Sequence, residues 1–431
     1  MYGQIVKRVI SGIDLSEAMP PACTGAAISI PGTGAHGPAS LQLSVDQCQQ
    51  GVALLGATGS GKTYLGRKMI TDLRRSVQEP YSMIVIQAKD DCDDLIRPGD
   101  LILEQGTRSD RSVRWNLFKD LLADGYDPET VKRNTREFVR HIFDYKKDSK
   151  EPFFVDGASE LLYCIIIAYI QRGIHSLQER AGWSNKGLRD FFLSYDPAAY
   201  EQVLESCGEP GVLNRILGTD TDNRQALGVW GELVTTVLQI LVDIFADEGD
   251  FSIREFVKEK SGRALFLNYD PSYREIQRHI YGSLVDLALK EVLARDAATG
   301  KTILYCDELP AMGRTDLAGA VNLGRAKGLI TICGFQSIDQ IYAIYGEHDG
   351  RAMLAGLCTK IYFRPNDPTT AQYLQSDFGT VLADYMTLSP GGCTCVRREG
   401  HAVEDPDILN MQRGECFVKD RNGSMYRFRI A

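Results

Sequence analysis

The chain has 431 residues, of which 44% are hydrophobic and 24% are charged, and its formal net charge is −9. These proportions indicate a globular protein of two or three domains and exclude a disordered or low-complexity chain. Residues 124–250 hold 13 Lys and Arg against 22 Asp and Glu, so this segment carries the whole net charge. Such an acidic block is a poor surface for nucleic-acid phosphates; it is either a surface for a basic partner or a solvated face.

The cysteines and the apolar runs bear on the cellular compartment. Eleven cysteines show no paired framework, and the N-terminal MYGQIVKRVI lacks the apolar core of a secretory signal, which predicts reduced thiols in a cytosolic protein. The most apolar run, Leu161–Ile170, is about half the length of a bilayer span. It therefore predicts a buried core helix and not a transmembrane segment.

The first predicted elements are short strands that lead toward a glycine-rich loop. Gln4–Ile10 and Ala26–Ile30 have strand-like composition, and a turn is predicted at Pro31–Gly34. Val52 to Leu55 suits a buried strand, and Tyr64–Arg75 repeats apolar residues at helical spacing.

The stretch between that strand and that helix matches G-x-x-x-x-G-K-[ST], the phosphate-binding loop of nucleotide-binding proteins. Glycines allow the backbone N–H groups to turn toward phosphate oxygens, and the helix N-terminus adds partial positive charge. Lys62 is placed to reach the terminal phosphates of ATP, and the Thr63 hydroxyl to ligate Mg²⁺. The predicted nucleotide-binding residues are Gly56, Ala57, Thr58, Gly59, Ser60, Gly61, Lys62 and Thr63.

Two further strands follow, at Tyr81–Gln87 and Leu101–Glu104. The polar run Lys89–Asp94 comes directly after the first of them. Polar residues at strand ends commonly line the nucleotide crevice of an open α/β sheet.

A second domain is predicted because 245 residues separate Lys62 from Asp307, the next nucleotide-site element, and a compact sheet needs far fewer. The intervening segment has helical patterns separated by Gly, Pro and Asp clusters. We expect a nucleotide-binding domain in two parts, residues 1–123 and 249–431, with an all-α domain inserted at 124–248. The predicted helices of the insertion are Pro128–Tyr145, Pro152–Gln171, Leu188–Leu193 and Leu227–Phe245.

Strand patterns resume after the insertion, at Ala264–Tyr269, and a helix is predicted over Ser272–Arg295. The apolar strand Thr302–Cys306 then ends in Asp307 and Glu308, as a Walker B strand does. Asp307 is expected to hold the Mg²⁺ shell and Glu308 to activate water; the alternative is a pair of solvated acids.

The remaining predicted elements alternate between helix and strand, which indicates a mostly parallel sheet covered on both faces, an α/β fold. They are a helix over Leu317–Lys327, a strand over Leu329–Phe335, a helix over Asp339–Ile344 and a strand over Lys360–Phe363.

Polar residues near these strands complete the predicted catalytic set. Gln336 directly follows a strand and is placed to hold the attacking water or sense the γ-phosphate; alternatively it bonds to a loop. Arg364 and Arg325 are both candidate arginine fingers toward a neighbour's nucleotide, and the alternative for each is a salt bridge. Of the two, Arg364 is expected to lie at the subunit edge and to complete a neighbour's site. Trp115 is expected to pack at the domain junction, with base stacking as the alternative.

These stretches together resemble the conjugative type IV coupling proteins, the TraD/TrwB-like branch of the RecA-like hexameric DNA translocases. The resemblance runs from about residue 45 to the end of the chain. The residues that carry it are Gly56–Thr63, Gly249–Arg254, Asp307–Leu309, Gly324–Gly328, Gly334–Gly346 and Asp367–Gln372.

The resemblance implies a RecA-like P-loop NTPase domain that forms a hexameric ring at the inner face of the bacterial inner membrane and uses ATP to move single- or double-stranded DNA. It further implies that an all-α domain meets the relaxase and accessory proteins of the relaxosome, and that the type IV secretion channel ATPases are partners. Most members carry a two-helix N-terminal membrane anchor, which this sequence does not show. Because untethered subunits assemble less readily, we expect a monomer in dilute solution and a homo-hexamer when active.

Three functions are compatible with these sequence features. The first is an ATP-driven motor acting on DNA or a DNA–protein complex, and the second is a related ring ATPase for DNA export or packaging. The third is a platform on which the helical domain recruits protein cargo while ATP controls assembly. ATPase activity stimulated by DNA favours the motors, and cargo binding without DNA favours the platform.

Overall fold

A computed structural model describes residues 5–87, 91–104, 111–143, 151–194, 224–269, 274–294, 299–389 and 392–431. Lys89 and Asp90, the first two residues of the predicted polar run, lie outside these ranges. The described strands are β1 Ile5–Ser11, β2 Ala26–Gly34, β3 Gly37–Ser44, β4 Val52–Leu55, β5 Tyr81–Gln87, β6 Leu101–Leu103, β7 Ser261–Asn268, β8 Lys301–Cys306, β9 Leu329–Phe335, β10 Thr359–Phe363, β11 Thr380–Ser389, β12 Gly392–His401, β13 Glu415–Lys419 and β14 Met425–Ile430.

The described α-helices are α1 Val45–Cys48, α2 Lys62–Ser76, α3 Leu117–Leu121, α4 Pro128–Phe143, α5 Pro152–His175, α6 Leu177–Arg180, α7 Asn185–Ser194, α8 Arg224–Ile240, α9 Ile253–Glu259, α10 Arg274–Leu293, α11 Leu317–Leu323, α12 Ile338–Tyr345, α13 Glu347–Gly356, α14 Pro368–Phe378 and α15 Asp405–Leu409. Short 3₁₀ segments follow α8 at Asp243–Ala246 and α11 at Gly324–Lys327.

The chain forms two compact units. The first comprises the described residues of Met1–Ile96, Thr299–Pro310 and Asp316–Ala431, and the second those of Arg97–Ala298 and Ala311–Thr315. The second unit is larger than the predicted insertion because β6, β7 and α10 belong to it. The boundaries 124–248 for an all-α domain remain a prediction.

The first unit is built on a sheet with the strand order β3-β2-β14-β13-β10-β4-β9-β8-β5. The five strands from β10 to β5 are parallel, and their core residues are buried. The other four continue the sheet as antiparallel neighbours. The predicted α/β fold is present. Because β4, β8, β9 and β10 are parallel, their carboxyl ends lie at the same edge of the sheet.

In the antiparallel half of the sheet, one predicted turn is wrong and several strands are present that the sequence patterns did not predict. Pro31–Gly34 is not a turn but the last part of β2, where it pairs with β3. A Cβ at Gly32 would lie 2.2 Å from the carbonyl oxygen of Arg429, so glycine is needed where β14 passes. Strands β3, β13 and β14 of this sheet were not predicted. A separate sheet has the order β1-β11-β12; its strand β1 was predicted, and β11 and β12 were not.

The second unit contains the parallel pair β6–β7 and a group of helices. Helix α5 packs against α4, α6 and α8. Among the described helices, α5 alone is long and apolar enough to cross a membrane, with a mean hydropathy of 1.7, and 61% of that stretch is buried inside the protein. Its burial is that of a core helix.

Between residues 124 and 248 the described residues form helices, as the patterns predicted. Most begin or end within a few residues of the predicted positions; the last predicted helix breaks after Ile240 and resumes as a 3₁₀ turn.

Candidate nucleotide-binding site

The glycine-rich loop joins β4 to α2 at the edge where the parallel strands end. Gly56, Gly59 and Gly61 have φ values of 142°, 75° and 126°, which only glycine adopts without strain. A Cβ at Gly56 would also lie 2.7 Å from the Cβ of Phe363 on β10. The loop also contacts the end of β10, because the Ala57 N–H donates a hydrogen bond of 2.8 Å to the carbonyl of Arg364, the residue after that strand.

Lys62 is the first residue of α2, and it is only 7% exposed. Its Nζ donates to the carbonyl oxygens of Gly56 at 2.6 Å and Ala57 at 3.0 Å. The lysine charge is therefore held inside the curve of the loop, next to the N-terminus of a 15-residue helix. Both features favour a bound anion.

Thr63 and Asp307 bring the loop and the Walker B strand together. The Thr63 hydroxyl donates to Oδ2 of Asp307 at 3.0 Å. The other carboxylate oxygen, Oδ1, accepts a hydrogen bond of 2.8 Å from the Tyr305 hydroxyl. A hydroxyl and a carboxylate at this distance form a set of oxygen ligands that suits Mg²⁺.

Glu308, Gln336 and Thr58 form a second connected group. Nε2 of Gln336 donates to Oε2 of Glu308 at 2.9 Å, and the Thr58 hydroxyl donates to Oε1 of Gln336 at 3.0 Å. The side-chain amide thus bridges the phosphate loop and the second Walker B carboxylate.

The order of the strands explains both groups. Strand β9 lies between β4 and β8 and is parallel to both. Gln336, which follows β9, therefore lies between the loop that follows β4 and the carboxylates that follow β8. The structure thus brings the phosphate loop, Asp307, Glu308 and Gln336 together at one edge of the sheet.

The two candidate arginines occupy opposite edges of the sheet. Arg364 follows β10 beside the phosphate loop, and its side chain is exposed. Arg325, also exposed, precedes β9, and its carbonyl accepts a hydrogen bond from Gln49, which precedes β4. Only Arg364 therefore lies near the phosphate loop of its own chain.

Trp115, in the second unit, is fully buried, and its indole N–H donates to the buried carboxylate of Asp120. It also contacts Phe138 and Phe245. The expected packing role agrees with this burial, whereas a base-stacking surface would have to be exposed.

Two residues near the site were not singled out in the sequence. Tyr305 carries a hydroxyl group within the apolar part of the Walker B strand, and this is the sequence feature that could have identified it. Gly66 lies inside α2, where glycine is unfavourable, and faces the Tyr305 ring.

The strand order, the glycine loop and the carboxylates after β8 define a P-loop NTPase fold of the RecA-like class. Residues 37–423 match the family described as "Type IV secretion-system coupling protein DNA-binding domain". The chain therefore belongs to the type IV secretion-system coupling protein family.

Solved structures show the same fold. The bacterial conjugative coupling protein TrwBdeltaN70, in an unbound form, is similar with a TM-score of 0.73 and 18% identity, over 100% of this chain and 94% of that one. Plasmid coupling protein TrwB in complex with ADP and Mg²⁺ has a TM-score of 0.72, 18% identity and the same coverage. VirB4 of Thermoanaerobacter pseudethanolicus has a TM-score of 0.54 and 16% identity, over 98% of each chain. Comparison with curated protein sequences gives no significant match.

Proposed function

We propose that this chain is an ATP-driven motor of a type IV secretion or conjugation system, which recruits a relaxase–DNA complex and moves its DNA toward the secretion channel. The observation that carries the proposal is the pair of hydrogen-bonded groups that join the phosphate loop to both Walker B carboxylates. Membership of a coupling-protein family with a DNA-binding domain supplies the substrate class. The proposed location is the inner face of the bacterial inner membrane.

ATP and Mg²⁺ are the proposed ligands. TrwB structures contain ADP with Mg²⁺ and a non-hydrolysable ATP analogue. The residues of this chain fit such a ligand, because Lys62 and the loop amides offer donors to phosphates, and Thr63 and Asp307 offer oxygens to a cation. Bound Mg²⁺ would supply charge neutralisation at the phosphates.

Glu308 is proposed as the base that accepts a proton from the attacking water. Gln336 holds the Glu308 carboxylate through one hydrogen bond and the loop through another, so it can respond to what the loop binds. The Gln336 amide is also proposed to orient the same water, as a glutamine does in other P-loop enzymes.

An arginine side chain from a neighbouring subunit is also proposed to reach the nucleotide. A residue that completes a neighbour's site must lie away from its own phosphate loop, and the position of Arg325 at the opposite edge supports it for this role. Arg364 adjoins its own loop, which supports a role within the same subunit. An arginine that acts from a neighbouring subunit makes activity depend on assembly into a homo-hexamer.

The recruitment platform remains the second candidate, and one observation favours it. The net charge of −9 falls on residues 124–250, where the described residues are helical. We expect this segment to bind a basic protein partner better than DNA. Excised residues 124–248 should give a helical circular dichroism spectrum, and tighter binding to DNA than to a relaxase or accessory protein would count against this partner.

The experiment that tests the motor is the ATPase rate measured against protein concentration, with and without DNA. Specific activity should rise with concentration, because assembly is needed, and rise further when DNA gathers the subunits. Lys62→Ala is the control for contaminating ATPases. Turnover that is independent of both concentration and DNA would contradict the motor, and DNA-independent cargo binding by Lys62→Ala would favour the platform.

A further inference from the structure

Tyr305 contacts the carboxylate oxygen of Asp307 that Thr63 does not. The Tyr305 side chain, on β8, is fully buried, and its hydroxyl donates to Oδ1 of Asp307 at 2.8 Å. Oδ2 of the same carboxylate accepts from Thr63 at 3.0 Å. Each oxygen of the Asp307 carboxylate thus accepts a hydrogen bond from a different hydroxyl group, one on Tyr305 and one on Thr63.

Gly66 makes room for this arrangement. A Cβ on Gly66 would lie 2.4 Å from the Tyr305 hydroxyl oxygen and 2.5 Å from the Cε2 of its ring. Glycine inside a helix costs about 1 kcal/mol relative to alanine. Helix α2 therefore carries an unfavourable residue at the place where a side chain would displace the Tyr305 ring.

We propose that Tyr305 is a positioning residue for the divalent-cation site: its hydroxyl holds the Asp307 carboxylate with Oδ2 turned toward Thr63, and Gly66 keeps the space that the ring requires. The terminal torsion of an aspartate is broad, so a carboxylate without this bond can rotate away from the orientation that a cation needs. Partners that orient metal ligands typically change metal affinity by about 10-fold to 100-fold. The inference depends on the nucleotide function proposed above.

The test is the binding of Mn²⁺ to the full chain in the presence of ADP, followed by electron paramagnetic resonance. Tyr305→Phe removes the hydroxyl and keeps the ring. We expect it to weaken Mn²⁺ binding by about 10-fold or more, with little change in the affinity for ADP measured without a divalent cation.

The chain offers a matched control in Tyr362. This tyrosine is also fully buried on a strand of the first unit, and its hydroxyl donates to the Asp377 carboxylate at 2.7 Å. Asp377 pairs with Lys360 and Lys419. Tyr362→Phe should therefore leave Mn²⁺ binding unchanged, which separates the loss of a buried hydroxyl from the loss of this particular hydroxyl.

Gly66→Ala tests the same contact from the helix side. We expect it to weaken Mn²⁺ binding as Tyr305→Phe does, and the double variant to be no weaker than Tyr305→Phe alone, since both changes remove one interaction. Thermal unfolding midpoints establish that each variant is folded; if Gly66→Ala is not, Tyr305→Phe decides by itself.

The outcomes separate this inference from the function it depends on. A wild-type chain that binds neither ADP nor Mn²⁺–ADP overturns the nucleotide function and this inference together. A wild-type chain that binds Mn²⁺–ADP, with Tyr305→Phe binding it as tightly, overturns only the positioning role.

Discussion

The side-chain amide of Gln336 donates a hydrogen bond of 2.9 Å to the carboxylate of Glu308, and its oxygen accepts one from Thr58. A residue after β9 thereby connects the proposed base to the phosphate loop.

Glu308→Gln should bind ATP with near-normal affinity and lose turnover by roughly 10²-fold or more, the usual scale for loss of a general base. The substitution keeps the side-chain size and removes only the proton acceptor. Steady-state ATPase rates and fluorescent-nucleotide titration measure the two effects. Lys62→Ala is the contrast, because it should lose binding as well as hydrolysis, and near-normal turnover in Glu308→Gln would assign the base to another residue.

Gln336→Ala should lower kcat on the order of 10²-fold, because a preorganised donor at the reacting water is lost, while nucleotide affinity stays close to that of the wild type. Thr58→Val removes only the hydroxyl that reaches Oε1 of Gln336, so a smaller loss is expected. Rates at saturating ATP distinguish the two variants. Equal losses would mean that the loop contact, and not the contact with Glu308, is what matters.

Arg325→Ala should bind ATP but stay inactive, and mixing it with Glu308→Gln should restore activity. If each site takes Glu308 from one subunit and Arg325 from the next, random mixing in equal amounts brings both intact residues together at about one interface in four. Arg364→Ala, whose backbone adjoins its own loop, should not be rescued in the same way. ATPase rates of equimolar mixtures measure this outcome; rescue of Arg364→Ala but not of Arg325→Ala would exchange the two roles.

Arg254→Ala should destabilise the second unit by about 3–5 kcal/mol, the usual cost of leaving buried charges without their partner. The Arg254 side chain is 2% exposed and pairs with Glu291 and Asp124. All three tryptophans, Trp115, Trp183 and Trp230, lie in this unit, so urea unfolding followed by tryptophan fluorescence reports on it.

The matched control for Arg254 is Arg263→Ala. Arg263 pairs with Glu259 at the surface, and such exposed pairs contribute at most about 1 kcal/mol. A loss in Arg254→Ala no larger than that of the control would show that the buried network does not stabilise the unit.

Lys260 should make stability depend on pH. Burial lowers the pKa of Lys260 from 10.5 to about 8, against the opposing attraction of Glu291. Between these pH values the folded chain binds fewer protons than the unfolded chain, so stability from this group rises with pH and the penalty is complete below about pH 8. Lys260→Met should therefore exceed the wild type in stability at pH 7, by a margin that shrinks toward pH 10.5. The same urea titrations, repeated across this range, measure it; a constant margin would contradict the assignment.

The local patterns were sufficient for the elements that bear the site. Strand β4, the glycine loop and the helix after it were predicted within one or two residues, because strand burial, glycine conformation and helical spacing are properties of adjacent residues. The strand pattern ending in Asp307 and Glu308 and the one ending in Gln336 were equally local. The antiparallel strands β11 to β14 were not predicted. Strand β12 lacks a clear apolar alternation, whereas β14 alternates apolar and basic residues over Tyr426–Ile430, and that signal was overlooked.

Local residue patterns were therefore enough to predict a phosphate loop, a pair of carboxylates, a polar residue after a strand and a helical acidic segment. The position of β9 between β4 and β8 emerged from the folded chain, and that order is why Gln336 can bridge Thr58 and Glu308. The folded chain alone placed Arg364 and Arg325 at opposite edges and set Tyr305 against Gly66. The physical reason is that strand order and side-chain contact depend on pairing between segments hundreds of residues apart, whereas a motif needs only its neighbours.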